Sequence, residues 1–383
     1  MKKVLSMVLA VAMLVSLFAL CGASAFADST PIKIGGIGPV TGPAAIYGKA
    51  VETAMQIAVE EVNALGGVQF ELNFQDDAHD AETSVNAYGN LMDWGMQVLI
   101  GTVTSTPCAA VAAEAADEHI FVLTPSASSP TVTEGKTNVF QMCFSDPNQG
   151  VASADYISEN SLGSAVAVIY NNGDAYSTGI YEKFVSEAEV KGLNIVYTGT
   201  FTDDSATDFS SQLTAARDAG ADLLFLPIYY TPISVIMNQC AAMNWDVSYF
   251  GVDGMDGLLT LEGFDTSLAE GAYLLTPFSA DATDELTTSF VEKYKAACGD
   301  VPNQFAADAY DCVWAVYDVC TENNLDGSMS AQDLCDALIE GFTNGFTFSG
   351  LTGSDMTWNT SGEVSKAPKA VIIHDGAYVL NEQ

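Results

Sequence analysis

Positive charge is scarce in this chain. Twelve Lys and Arg stand against 49 Asp and Glu over 383 residues, a net charge of −37. Such a surface repels phosphate backbones, which excludes nucleic-acid binding, and the acids serve instead to keep the protein soluble. Histidine is rarer still: His79, His119 and His374 form no H-E-x-x-H pair. No C-x-x-C or paired Cys/His spacing occurs, so structural zinc is not expected. A phosphate-binding G-x-x-x-x-G-K-S/T and a nucleophile elbow G-x-S-x-G are both absent. Apolar runs long enough to span a bilayer are missing after the first twenty residues.

What the chain does have begins with an export signal. Met1-Lys2-Lys3 precedes an uncharged apolar run over residues 4–20, and Ala25-Phe26-Ala27 supplies a small-x-small cleavage site. Residues 1–27 are therefore read as a secretory signal. A lipid anchor at Cys21 is the competing reading, which the large Leu20 before it disfavours. Either way the protein is expected outside the cytoplasm, periplasmic or at the cell surface. Seven cysteines follow (Cys108, Cys143, Cys240, Cys298, Cys312, Cys320 and Cys335). Export permits disulfides, and one local bridge among Cys312, Cys320 and Cys335 stands beside buried free thiols as a reading.

The remainder alternates strand and helix patterns. Residues 32–37 form a short apolar strand, and Gly, Pro and Thr then force a loop that delivers Tyr47 to the start of a helix. Val51, Ala54, Met55, Ala58, Val62 and Leu65 recur at three- and four-residue steps along that helix, until Gly66-Gly67 stops it. Strand patterns follow at 70–74, 98–100 and 120–123, and the series restarts at 165–170, 194–197, 223–228 and 249–252. Two successive runs of strand–helix units predict an α/β protein of two doubly wound, mostly parallel sheets. Breaks near 144–148 and 276–278 and a last strand at 370–374 assign 28–145 and 278–352 to lobe I, and 146–277 and 353–383 to lobe II. About three hinge crossings suit a clamshell.

The glycine-rich opening fails as a dinucleotide fingerprint. After Gly36 and Gly38 the third place is Thr41, and Pro39 lacks an amide. Asp77-Ala78-His79-Asp80 reads as a polar turn capping a helix rather than a metal site. The chemistry lies instead at strand ends. Thr104-Ser105-Thr106 and then Ser126 and Ser128 follow successive strands of the first lobe, the former just before a helix expected to begin at Pro107. Short hydroxyls and amides at a helix N-terminus suit a carboxylate. In the second lobe Tyr176, Tyr229-Tyr230 and Asp253 end three strands, and one carboxylate ringed by tyrosines suits an ammonium. No nucleophile–base pair emerges, so an enzyme is not expected, and no cofactor is needed.

These pieces, in order, resemble the branched-chain amino-acid-binding proteins of ABC importers. The resemblance rests on Gly42-Pro43-x-x-x-Tyr47-Gly48, Glu61-Val-Asn-Ala-Leu-Gly66-Gly67, Gln75-Asp76-Asp77, Thr124-Pro125, Asp174-Ala-Tyr176-Ser-x-Gly179, Tyr230-x-Pro232 and Gly251-x-Asp253-Gly254. It implies a type I periplasmic-binding-protein fold. Ser105, Ser126 and Ser128 would grip the ligand carboxylate, and Asp253 and Tyr230 its ammonium. Tyr47, Tyr176 and Tyr310 would line the side-chain pocket. The family's leucine/isoleucine/valine-binding members have Glu where Asp253 stands, which leaves the ligand open. Their disulfide is absent, since His79 and Thr104 fill its places. A small amino acid and a membrane ABC permease are the implied partners, with the chain acting as a monomer. Alternatives are a binder of a non-amino-acid carboxylate or short amide, or a ligand-sensing extracellular domain.

Overall fold

The computed structural model describes residues 30–380, so the signal segment and Cys21 lie outside the described residues. Strands β1 (Ile32–Gly38), β2 (Phe70–Asp76), β3 (Val98–Gly101), β4 (Phe121–Thr124) and β5 (Val139–Gln141) make a parallel sheet in the order β2-β1-β3-β4-β5. Helices α1 (Ala45–Ala64), α2 (Ala81–Trp94), α3 (Ser105–Glu118) and the single turn α4 (Pro130–Thr133) connect its strands. Ile32, Ile34 and Ile37 of β1 are all fully buried, which is why that strand reads as a continuous apolar run and not an alternating one.

A second sheet holds β6 (Val166–Asn171), β7 (Ile195–Phe201), β8 (Leu223–Leu226), β9 (Ser248–Gly251), β10 (Tyr273–Thr276), β11 (Lys369–His374) and β12 (Ala377–Leu380). Its order is β12-β11-β10-β9-β8-β6-β7, parallel from β7 to β10 and antiparallel through β11 and β12. Helices α5 (Asp146–Glu159), α6 (Ala175–Lys191), α7 (Ser210–Asp218) and α8 (Tyr230–Ala242) belong with it. The chain then returns to the first lobe as α9 (Glu285–Cys298), α10 (Gln304–Asn323) and α11 (Ala331–Thr343). Here Phe121, Phe140 and Phe342 pack ring on ring at 5.1 to 5.8 Å, a cluster fully excluded from water. Each such ring contributes about 2–3 kcal/mol by burial.

The last lobe boundary differs from the expected one. Residues 353–366 stay with the first lobe: Trp358 donates its indole N–H to the Gln141 carbonyl at 2.8 Å and sets its ring edge-on to Phe342. Lys366 is buried there in an ion pair with Asp308 at 2.6 Å. The third crossing therefore falls between Lys366 and Lys369, not at 353, because an apolar indole is held by the first-lobe core. Among the described residues all seven cysteines are free thiols, with Cys298 alone exposed. No helix of the described residues is long and apolar enough to cross a membrane.

Candidate functional site

The C-terminal ends of both sheets face each other across one cleft, where open α/β sheets place their ligands. The cleft is shut. Tyr47, third residue of α1, donates its hydroxyl to the Gly254 carbonyl of the other lobe at 2.5 Å. Thr231 reaches the Pro43 carbonyl at 2.7 Å, Thr106 reaches Asp174 at 3.1 Å, and Gln304 donates to the Asp253 carbonyl at 3.0 Å. Loop 39–43 folds back so tightly that a Cβ on Gly48 would lie 2.1 Å from the Pro39 oxygen.

The first-lobe wall is made of neutral donors. Helix α3 begins at Ser105, two residues earlier than expected, with Pro107 inside its first turn where no amide donor is needed. That places the Ser105 hydroxyl and the first helical N–H groups together at the cleft. The Ser105 Oγ accepts the Ser129 amide at 3.2 Å, and Ser126 donates to the Val103 carbonyl at 2.6 Å. Both hydroxyls thus brace the two loops against each other. Ser128 is different: its Oγ is fully buried, makes no close hydrogen bond within its own lobe, and faces the Asp146 carboxyl across the cleft. His79 meets Thr104 at 2.8 Å between ring nitrogen and hydroxyl, so a hydrogen bond joins the two places that the resemblance gives to a disulfide.

Acids and aromatic rings make the second-lobe wall. Asp253 opens a short 3-10 turn (Asp253–Met255) and is 4% exposed. Its carboxylate accepts the Tyr176 hydroxyl at 2.5 Å, and that hydroxyl in turn accepts the Gly254 amide at 2.9 Å. Burial pushes the Asp253 pKa up to about 7 despite these bonds. Tyr176 is the second residue of α6, beyond its Asp174 cap, and Tyr229 stacks on it with centroids 4.8 Å apart.

One predicted residue keeps to the cleft by a different route and another stands elsewhere. Tyr230 turns toward α1, its hydroxyl accepting the Ile46 amide at 3.2 Å and its ring edge-on to Tyr47 at 4.9 Å, while its neighbour Tyr229 faces Tyr176, Tyr47 and His79. Successive residues at a helix start point some 100° apart, so both rings meet Tyr47 but Tyr229 is the one of the pair that stacks on Tyr176, beside Asp253. Tyr310 lies away from the cleft, donating to Glu61 at 2.5 Å and packed on Phe290. Phe305, five residues earlier on α10, stacks on Tyr47 at 4.0 Å instead.

The sequence reading also missed Asp146, whose carboxyl group is fully buried, makes no close hydrogen bond, has the Ser128 hydroxyl facing it, and sits with its Oδ2 3.1 Å from the Cβ that Gly179 lacks. Its amide donates to the Ser128 carbonyl at 3.0 Å, and one turn on Gln149 accepts the Asp253 amide at 3.2 Å. Burial raises the Asp146 pKa well above the carboxylate range. The signal was a polar stripe, Asp146 and Gln149, on a helix that had been read as a break.

A two-lobed, hinged α/β protein with a polar cleft at facing sheet ends is by its architecture a ligand-binding protein. The model of the family described as periplasmic binding protein matches residues 31–362, and the chain belongs to that family. It is 30% identical over 236 residues to the Leu/Ile/Val-binding protein homolog 3 of Brucella melitensis, a match covering 61% of this chain and 63% of that protein's length. It is 28% identical over 286 residues to the Leu/Ile/Val-binding protein BraC3 of Rhizobium johnstonii, covering 74% and 77%. Among solved structures, the branched-chain amino acid transporter substrate binding protein LivJ from Streptococcus pneumoniae, in complex with isoleucine, superposes with a TM-score of 0.82 at 26% identity. That superposition covers 91% of this chain and 98% of the other.

Proposed function

We propose that the cleft captures the zwitterion of a small amino acid, branched-chain or a related aliphatic or aromatic one, and delivers it to a membrane ABC permease by closing around it outside the cytoplasm. The observation that carries this reading is the opposition of the buried Ser128 hydroxyl and the α3 N-terminus on one wall to the buried acids Asp253 and Asp146 on the other. One wall suits an anion and the other a cation. The names of the relatives point to the same ligand class. No covalent step and no cofactor enter this reading, and the chain acts in it as a monomer.

The acids also explain why a ligand should drive closure. With its pKa pushed to about 7 in the closed cleft, an ionised Asp253 held there without a counter-charge is unfavourable by up to roughly 4 kcal/mol relative to a solvated carboxylate. Asp146 adds to that cost in the same direction. An ammonium group supplies the missing counter-charge, so the closed form is favoured only when loaded. The permease then has a shape to recognise that reports occupancy.

Titration calorimetry with the twenty amino acids on the mature chain tests the reading, alongside the Asp253→Ala variant. Saturable binding of an aliphatic amino acid, lost in the variant while its circular dichroism is unchanged, is the expected result. Binding that survives the substitution removes Asp253 from the site. Binding of carboxylates lacking an amine in preference to any amino acid would transfer the assignment to the non-amino-acid alternative.

A further inference from the structure

A second cavity, of about 440 Å³, opens between the lobes beside the second crossing. Its walls are Asp256, Leu274 and Tyr378 from the second lobe, Pro302 and Lys295 from the first, and Phe278 from the crossing itself. The size falls within the range of small-molecule sites. Most of the wall is apolar, yet Asp256 is 4% exposed, and its carboxylate meets neutral groups alone. One oxygen accepts the Gln304 amide at the start of α10, at 2.8 Å, while the other makes no close bond, with the Tyr378 hydroxyl and the Gly257 amide beside the carboxylate. A buried carboxylate with neutral donors and no counter-charge is costly, and an ammonium group relieves that cost. Lys295 is exposed on α9 at the rim and carries the only positive charge among the lining residues, against Asp256 and Asp281.

We propose that this hinge cavity is a second binding site, for a small organic ammonium ion with an aliphatic body, and that its occupancy favours the closed cleft. The ammonium group sits on Asp256 and the aliphatic part packs on Leu274, Phe278 and Pro302. Coupling follows from position. Both lobes supply walls, so an occupant binds the arrangement in which they meet. Gln304 spans the two sites, its amide on Asp256 and its side chain on the Asp253 carbonyl at 3.0 Å. Linkage makes the effect reciprocal: an amine in the hinge tightens the cleft ligand by the factor that the cleft ligand tightens the amine. The coupling, though not the site, rests on the clamshell reading above.

Isopentylammonium chloride is the probe, titrated calorimetrically into the mature chain at neutral pH, with isohexanoate as the control that lacks the amine. Saturable one-to-one binding of the amine and none of the acid is expected. Asp256→Asn should weaken it at least tenfold. Ala280→Trp, which fills the cavity and leaves the Asp256–Gln304 bond in place, should abolish it. A saturating amine should lower the Kd of the cleft amino acid about fivefold or more. No saturable binding, or full binding in Ala280→Trp, overturns the proposal. Amine uptake that Asp253→Asn removes and Ala280→Trp spares is cleft binding, and overturns it equally. Failure of every amino acid to bind the cleft would sink the transport reading while leaving the amine titration to stand or fall by itself.

Discussion

The two walls of the cleft solve opposite problems by opposite means. On the first lobe the donors are neutral, spread over α3 and the loop after β4, and mostly braced internally through Ser105 to Ser129 and Ser126 to Val103. Ser128 alone of the three is not braced within its lobe and faces the Asp146 carboxyl instead. On the second lobe the function is concentrated in buried charge, Asp253 with Tyr176 and Asp146 nearby, held at a cost that burial imposes. Anion recognition can be distributed over backbone amides, each cheap to keep unpaired at a helix end. Cation recognition cannot, because carbonyl oxygens in parallel sheets are already taken and a carboxylate must be buried outright. The first wall should therefore be tolerant and the second brittle.

The sharpest way to break this contrast is to remove one residue from each wall. Asp253→Ala takes away the counter-charge of a buried ammonium, a loss of about 3–5 kcal/mol, or roughly a 10²- to 10³-fold or greater fall in affinity by calorimetry. A smaller but distinctive effect concerns pH. Burial in the closed cleft holds the Asp253 pKa at about 7, and an opening that lets water reach the carboxylate would return it toward the ordinary carboxylate range, so the closed form would hold its proton more tightly than the open form. Acidification then favours closure without ligand, and the advantage disappears as pH rises through 7. From pH 8 to pH 5.5 the closed-to-open ratio of ligand-free protein should climb by up to about thirtyfold, read as a shrinking radius of gyration in solution scattering. In Asp253→Asn the radius should no longer respond in this window beyond any residue from Asp146, and an unchanged pH response there would contradict the assignment. On the first wall, Ser105→Ala with Ser128→Ala should cost roughly tenfold in affinity, since the α3 amides still face the carboxylate. A loss as large as that of Asp253→Ala would mean the walls are equally brittle.

How much of this was legible beforehand follows the same division. Strand-end hydroxyls and Asp253 are visible because short, special residues after an apolar run mark a loop at a sheet end. The two parallel sheets were legible from repeated apolar segments. Strands β5, β10 and β12 were not, for different reasons: β10 runs straight into the stretch read as a break near 276–278. Three residues of β5 are too few for any periodicity, and its place is fixed by pairing with β4. The turn into β12 did carry a signal, Asp375-Gly376, and both residues adopt the positive φ that a tight hairpin requires. Asp146 was hidden because a Ser-Asp-Pro stretch after a strand looks like a connection, whereas Pro147 occupies the first turn of α5 and lets the helix start at the crossing. The choice between Tyr229 and Tyr230 turns on rotation about a helix start, which only tertiary packing sets.

Tyr310 offers the finest test of the comparison, because the family resemblance implied a place in the ligand pocket and the packing puts it in a seam between α1 and α10. Its ring is 5% exposed and lies against Phe290 and Trp314, and its hydroxyl donates to Glu61 at 2.5 Å. Glu61 also holds Lys293 at 2.5 Å, so losing the phenol leaves that carboxylate paired and still partly in water. Tyr310→Phe should therefore cost only about 1 kcal/mol of stability in a urea titration, with the slope unchanged. Affinity for the cleft ligand should stay within about twofold, since a residue in a seam inside one lobe contributes equally to the open and closed forms and to the empty and loaded ones. A tenfold loss of affinity at unchanged stability would return Tyr310 to the pocket and displace Phe305 from the place beside Tyr47 that the stacking assigns to it.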